Sequence, residues 1–166
     1  MNSKVIMESV LHALDFGVIY ESLKHYKNRT WETSTIDILK YLVFGKGYKS
    51  LTPPEYCQFI KENKNVEIVD LREPERYKQS HIENSKSIPI DDFLKVVLNG
   101  TYKTIPDQKT ILVCDTGSLS KVGASVLMEA GFKDIYNLKG GIRRFKRWAK
   151  IVKNIQMTSC CLHYLV

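Results

Sequence analysis

The sequence has no Cys-x-x-Cys pair, no histidines at ligand spacing, no internal repeat and no low-complexity tract. Its four cysteines are Cys57, Cys114, Cys160 and Cys161. Without paired cysteines a structural zinc site is not expected, and His12, His25 and His163 have no partners to build another metal site. No metal and no cofactor is expected. Adjacent Cys160 and Cys161 bridge each other only with difficulty, so no disulfide framework is expected and a reducing compartment fits best. The most apolar run, residues 36–44, carries Asp37 and Lys40 and is too short to span a membrane. Glu8, His12 and Asp15 interrupt the N-terminal segment, so neither a signal peptide nor a transit peptide is expected. These absences point to a cytoplasmic or organelle-matrix protein with no membrane partner.

The 166 residues are 43% hydrophobic, enough for one domain with a packed core and a small appendage. The net charge is +7, with lysines spread through every segment. A solvated basic surface is expected, with no nucleic-acid partner. Such a surface favours anionic substrates or an acidic partner.

Residues 1–50 read as an N-terminal extension. Val5, Ile6, Val10, Leu11 and Leu14 recur at helical spacing, and Ile36, Ile38, Leu39, Leu42 and Val43 form a second apolar patch. From Leu51 the pattern sharpens. Thr52-Pro53-Pro54-Glu55 predicts a capped helix start, with the helix running to about Lys61 and carrying a structural Cys57. Strands are predicted over 66–70, 85–89, 110–114 and 134–138. Helices are predicted from Asp91, over 119–130 and after Gly140-Gly141, with a short turn from Pro74 through Tyr77. Residues 151–166 read as a peripheral tail. Strands alternating with helices predict an α/β domain over 51–150, an open, mostly parallel sheet flanked by helices on both faces. In such sheets the site lies at the carboxyl ends of the strands, where Asp70 and Cys114 both fall.

The stretch 110–128 organises the chain. The apolar Ile111-Leu112-Val113 ends on Cys114, and the loop Asp115-Thr116-Gly117-Ser118-Leu119-Ser120 leads into a helical pattern. Strand, tight loop and helix aim backbone N–H groups at one point. A thiol there is an activated nucleophile without a metal. The plainer alternative is a small core cysteine closing a buried strand.

Three motifs carry a family resemblance. The first is Val69-Asp70-Leu71-Arg72-Glu73-Pro74-Glu75-Arg76-Tyr77, followed by His81-Ile82 and Ser87-Ile88-Pro89. The second is the six-residue loop opened by Cys114. The third runs from Ala130-Gly131-Phe132 to Leu138-Lys139-Gly140-Gly141, with Trp148. In order and spacing, across about residues 51–148, the chain resembles the single-domain rhodaneses, a sulfurtransferase family. The resemblance implies a rhodanese-like fold and a sulfane sulfur carried as a persulfide on Cys114 to a thiol or protein acceptor. It implies thiosulfate or a protein persulfide as sulfur donor and a sulfur-carrier protein as one class of acceptor. Asp70 and Arg72 would support the loop, and Thr116 and Ser118 would add hydroxyl donors.

The loop also departs from the family. Many members have arginine at the position of Leu119 and a basic or neutral residue at that of Asp115. Here the loop holds an acid and no cation. A carboxylate beside the thiol repels thiosulfate, so weak activity toward it is expected. Asp115 is expected to point to solvent, and Lys121 compensates only if its side chain reaches back. These departures keep alive an alternative, a catalytically weak or inactive rhodanese-like interaction module. A related phosphatase or arsenate reductase needs arginine six residues after the cysteine, where Ser120 stands. Lys139, Arg143, Arg144, Lys146 and Arg147 cluster around the last helix as a solvated face or a docking site for an acidic partner.

Overall fold

The computed structural model describes residues 47–103 and 108–154. The helical patterns read in residues 1–46, the tail from residue 155 with Cys160 and Cys161, and His12, His25 and His163 lie outside the described residues. Five strands are described: β1 (Lys49–Leu51), β2 (Val66–Asp70), β3 (Lys86–Ser87), β4 (Lys109–Val113) and β5 (Ile135–Leu138). Five helices are described with them: α1 (Pro53–Glu62), α2 (Pro74–Gln79), α3 (Ile90–Leu98), α4 (Ser118–Glu129) and α5 (Gly141–Asn154). The strands form one parallel sheet in the order β1-β5-β4-β2-β3.

Alternation along the strands divides the core into two layers. On one face Ile68, Ile111, Val113, Tyr136 and Leu138 pack with Tyr56 and Cys57 of α1 and Ile142 and Phe145 of α5. On the other, Leu112 meets the α3–α4 pair. A Cβ added at Gly123 of α4 would lie 3.0–3.2 Å from Leu71, Leu112 and Phe93, so α4 sits close against the sheet. Helices on both faces explain why β4 reads as a continuous apolar run. The predicted start of α1 is present: Thr52 donates to Glu55 Oε2 from both its N–H and its Oγ1, each at 2.7 Å.

Two expectations are corrected. The edge strand β1 was not foreseen; its three residues are too few to show a period. The last helix continues to Asn154 and buries Val152, so the first residues assigned to the tail belong to the domain.

The topology locates the site. From β2 the chain moves outward to β3, whereas from β4 it moves the opposite way to β5. The switch falls between β2 and β4, and ligands of open α/β sheets bind beyond the strand ends at such a point. Asp70 closes β2 opposite Val113, the last residue of β4, and Cys114 follows at once.

Candidate active site

Cys114 leaves β4 fully buried, with its side chain turned back under the start of α4. Its Sγ accepts hydrogen bonds from the N–H of Gly117 at 3.1 Å and of Ser120 at 3.4 Å. The first N–H groups of a helix have no partner within it and usually take a side-chain oxygen. α4 has no such oxygen at its cap. The sulfur stands in its place, facing the positive end of the helix dipole. Gly117, at the cap position, has φ +87°, and a Cβ there would come within 2.9 Å of the Gly140 nitrogen. The loop can turn this sharply only with glycine at that point.

A second helix N-terminus holds the loop from outside. Ile142 donates its N–H to the Cys114 carbonyl at 2.9 Å, and Arg143 donates to the Asp115 carbonyl at 3.1 Å. With those carbonyls bound by α5, the loop keeps its N–H groups turned toward the sulfur. Ser120 Oγ lies 3.3 Å from Sγ and donates to Asn137 Oδ1 at 2.6 Å. Asn137 in turn donates from Nδ2 to Ser50 Oγ at 3.3 Å.

Arginine supplies the charge that the loop lacks. Arg72 binds Asp70 in a two-pronged pair, Nε to Oδ1 at 2.9 Å and Nη2 to Oδ2 at 2.6 Å, and also donates to the Ser80 carbonyl. Its Nη1 lies 3.7 Å from Asp115 Oδ1, and Arg76 Nη1 lies 3.5 Å from Asp115 Oδ2. Burial works against the Arg72 charge. Hydrogen bonding to Asp70 and the charges of Asp70, Asp115 and Cys114 outweigh it, holding the guanidinium above its ordinary pKa. Asp115 therefore does not point free into solvent, as the sequence suggested. It sits between two arginines, each too distant for a tight hydrogen bond.

The structure brings together Cys114, Gly117, Ser118 and Ser120 at the start of α4, and Asp70, Arg72 and Asp115 beside them. Thr116 and Ser118 hydroxyls pair with each other at 3.2 Å, and neither bonds to the sulfur. Leu119 is half-buried. Lys121 makes no ion pair among the described residues. His81 donates from Nδ1 to the Tyr77 carbonyl and stacks on the Tyr77 ring, as a structural residue does. Sequence reasoning missed Arg76, Asn137 and Ser50. Asn137 left a signal: a polar residue inside the buried strand Ile-Tyr-Asn-Leu must find a hydrogen-bond partner. Among the described residues no group of three or more His, Cys, Asp or Glu is placed to hold a metal ion.

Residues 52–147 match the model of the rhodanese-like domain. The thiosulfate sulfurtransferase GlpE of Pseudomonas fluorescens is 33% identical over 99 residues, 58% of this chain and 81% of the relative. The probable adenylyltransferase/sulfurtransferase MoeZ of Mycobacterium tuberculosis is 30% identical over 104 residues, 61% of this chain but only 24% of the relative. Among solved structures, a rhodanese-related protein from Thermoplasma volcanium superposes with a TM-score of 0.51 at 26% identity, covering 61% of this chain and 93% of that one. Fold, motif order and a match to more than half of the sequence agree: the chain belongs to the rhodanese-like domain family.

Proposed function

We propose that this protein is a sulfurtransferase in which Cys114 takes a sulfane sulfur and holds it as a persulfide. The observation that carries the reading is the placement of Sγ under the N-terminus of α4, bonded to the N–H groups of Gly117 and Ser120. These donors stabilise negative charge on sulfur before and after the reaction and need no rearrangement to do so. Two GlpE thiosulfate sulfurtransferases at 32–33% identity support the same chemistry.

With thiosulfate as donor, the Cys114 thiolate attacks the outer sulfur. A new S–S bond forms, the donor's S–S bond breaks, and sulfite leaves with the electron pair. An acceptor thiolate then attacks the outer sulfur of the persulfide. The Sγ–S bond breaks and its electron pair returns to Cys114. A protein persulfide serves as donor by the same exchange, and a small thiol or a sulfur-carrier protein serves as acceptor. Arg72 and Arg76 offset the charges of Asp70 and Asp115, so an anionic donor meets no uncompensated carboxylate at the loop. Asp70 and Arg72 brace the segment after β2 beside the Cys114 loop and act as positioning residues.

Intact-protein mass spectrometry after incubation with thiosulfate tests the reading. Wild type should gain one sulfur atom that is lost on reduction, and Cys114→Ser should gain none. Sulfur loading in Cys114→Ser equal to wild type would remove Cys114 from the reaction.

A further inference from the structure

α5 carries Arg143, Arg144, Lys146, Arg147, Lys150 and Lys153, all exposed, and contains no acidic residue. Its other side is committed to the core through Ile142, Phe145, Ala149 and Val152. This arrangement opposes helix stability. Arg143 and Arg144 lie at the end of the helix where the dipole disfavours cations. Arg143 and Arg147, and Lys146 and Lys150, are like-charge neighbours one turn apart. None of the six makes an ion pair among the described residues. A charge pattern that the described residues do not offset points to a partner that does.

The position of the stripe identifies the partner. It begins at Arg143, whose own N–H binds the Asp115 carbonyl of the Cys114 loop. From there it runs roughly 15 Å to Lys153, at about 1.5 Å per helical residue. One or two cations suffice for a small anion such as thiosulfate; six along 15 Å match the acidic face of a protein. A nucleic acid fits less well. The rings of this helix are turned inward, with Phe145 buried and Trp148 against it, so no fully exposed ring is available for base stacking.

We propose that the exposed face of α5 docks an acidic, thiol-bearing acceptor protein and presents its thiol to Cys114. The inference rests on the sulfur-transfer reading, deepens it by naming the acceptor class, and has its own test. Two labelled 20-residue peptides serve as probes, each with one cysteine, one rich in glutamate and the other with glutamine in its place. Fluorescence anisotropy at low salt should show the glutamate peptide binding about tenfold more tightly, with the gap closing as salt rises. Lys146→Glu/Arg147→Glu/Lys150→Glu should abolish the gap, while its melting temperature is no lower than wild type because like-charge repulsion is relieved. Sulfur transfer from the loaded protein to the glutamate peptide should slow in the variant, and transfer to dithiothreitol should not. Equal binding of both peptides by a protein that loads sulfur would overturn the docking face. An RNA duplex bound more tightly than the glutamate peptide and released by the same variant would overturn it in favour of nucleic acid. Failure to take up sulfur from thiosulfate or a persulfide donor at all, or to release it to dithiothreitol, would instead overturn the transfer reading.

Discussion

Ser120 Oγ donates its proton to Asn137 Oδ1 at 2.6 Å while standing 3.3 Å from Cys114 Sγ. A hydroxyl has one proton to give. With that proton on Asn137, Ser120 offers Sγ only a lone pair, which suits a thiol donating S–H and not an anionic sulfur. Asn137 is itself oriented by Ser50, so an exposed edge residue is linked through two buried side chains to the sulfur. Asn137→Ala should free the Ser120 proton for the sulfur. A hydrogen bond to a charged group is worth about 1.5 kcal/mol or more, so alkylation of Cys114 by iodoacetamide at neutral pH should run about tenfold faster. The fold should lose about 1–3 kcal/mol for the broken buried network. Ser120→Ala, which has no hydroxyl, should show no such acceleration. Alkylation of Asn137→Ala at the wild-type rate would mean that the Ser120 proton does not limit the sulfur.

Asp115 is the one acidic residue in the loop, and Arg72, just after β2, and Arg76 of α2 hold it. Asp115→Asn should release the half-exposed Arg76 to meet an anionic donor. KM for thiosulfate should fall about threefold at low ionic strength, the scale of a part-exposed charge pair, and the advantage should shrink as salt is added. Arg76→Ala should move KM the other way, leaving Asp115 with one distant arginine. Both changes should alter stability by less than about 1 kcal/mol. A salt-independent effect on KM would assign Asp115 a steric role.

The alternation of strand and helix and the Cys114 loop were legible because each rests on local sequence: period, capping residues and glycine placement; the support from Asp70 and Arg72 was implied by the family resemblance. Pairings between distant segments were not. Arg76 stands inside a recognised motif, but nothing local says that α2 delivers it to a loop 39 positions later. Asn137 and Ser50 meet because β5 and β1 lie side by side, and β1 is too short to announce itself. Asp115 was assigned to solvent because its counter-ions come from another strand end. The edge strand was missed for the same reason: its partner is remote in sequence.

Glu67 is a buried carboxylate on β2, bonded to Lys86 Nζ at 2.7 Å and to the Tyr102 hydroxyl at 3.0 Å. Burial, and then the charge and hydrogen bond of Glu67, hold the Tyr102 pKa far above the usual tyrosine value. The folded state therefore keeps this proton more tightly than the unfolded chain. Its contribution to stability is fully present below about pH 10, where an unfolded tyrosine titrates, and is lost as pH rises from there toward the folded pKa. Thermal unfolding followed by circular dichroism should show melting temperature declining above about pH 10. Tyr102→Phe should be less stable at neutral pH by about 1 kcal/mol, with a shallower alkaline decline. Parallel curves for the two proteins would place the alkaline sensitivity elsewhere.

Gly141 is the point where α5 touches the Cys114 loop. Its φ is +59°, and a Cβ there would lie 2.2 Å from the Cys114 carbonyl oxygen and 2.5 Å from the Asp115 carbonyl carbon and oxygen. Those atoms are backbone, fixed by the bonds from Ile142 and Arg143, so no side chain can swing aside to make room. Gly131→Ala is the control: φ is +89° there, but a Cβ would meet nothing within 4 Å. Backbone strain alone should cost Gly131→Ala about 1–2 kcal/mol, with sulfur loading retained. Gly141→Ala carries the same kind of strain and must also push the loop away from α5. It should lose clearly more stability than Gly131→Ala in urea unfolding. In whatever fraction remains folded, sulfur loading of Cys114 should also fall, because displacing the loop moves the Gly117 and Ser120 N–H groups off the sulfur. Equal losses in the two variants would show that the contact between α5 and the loop relaxes easily, and that the N–H donors keep their aim without it.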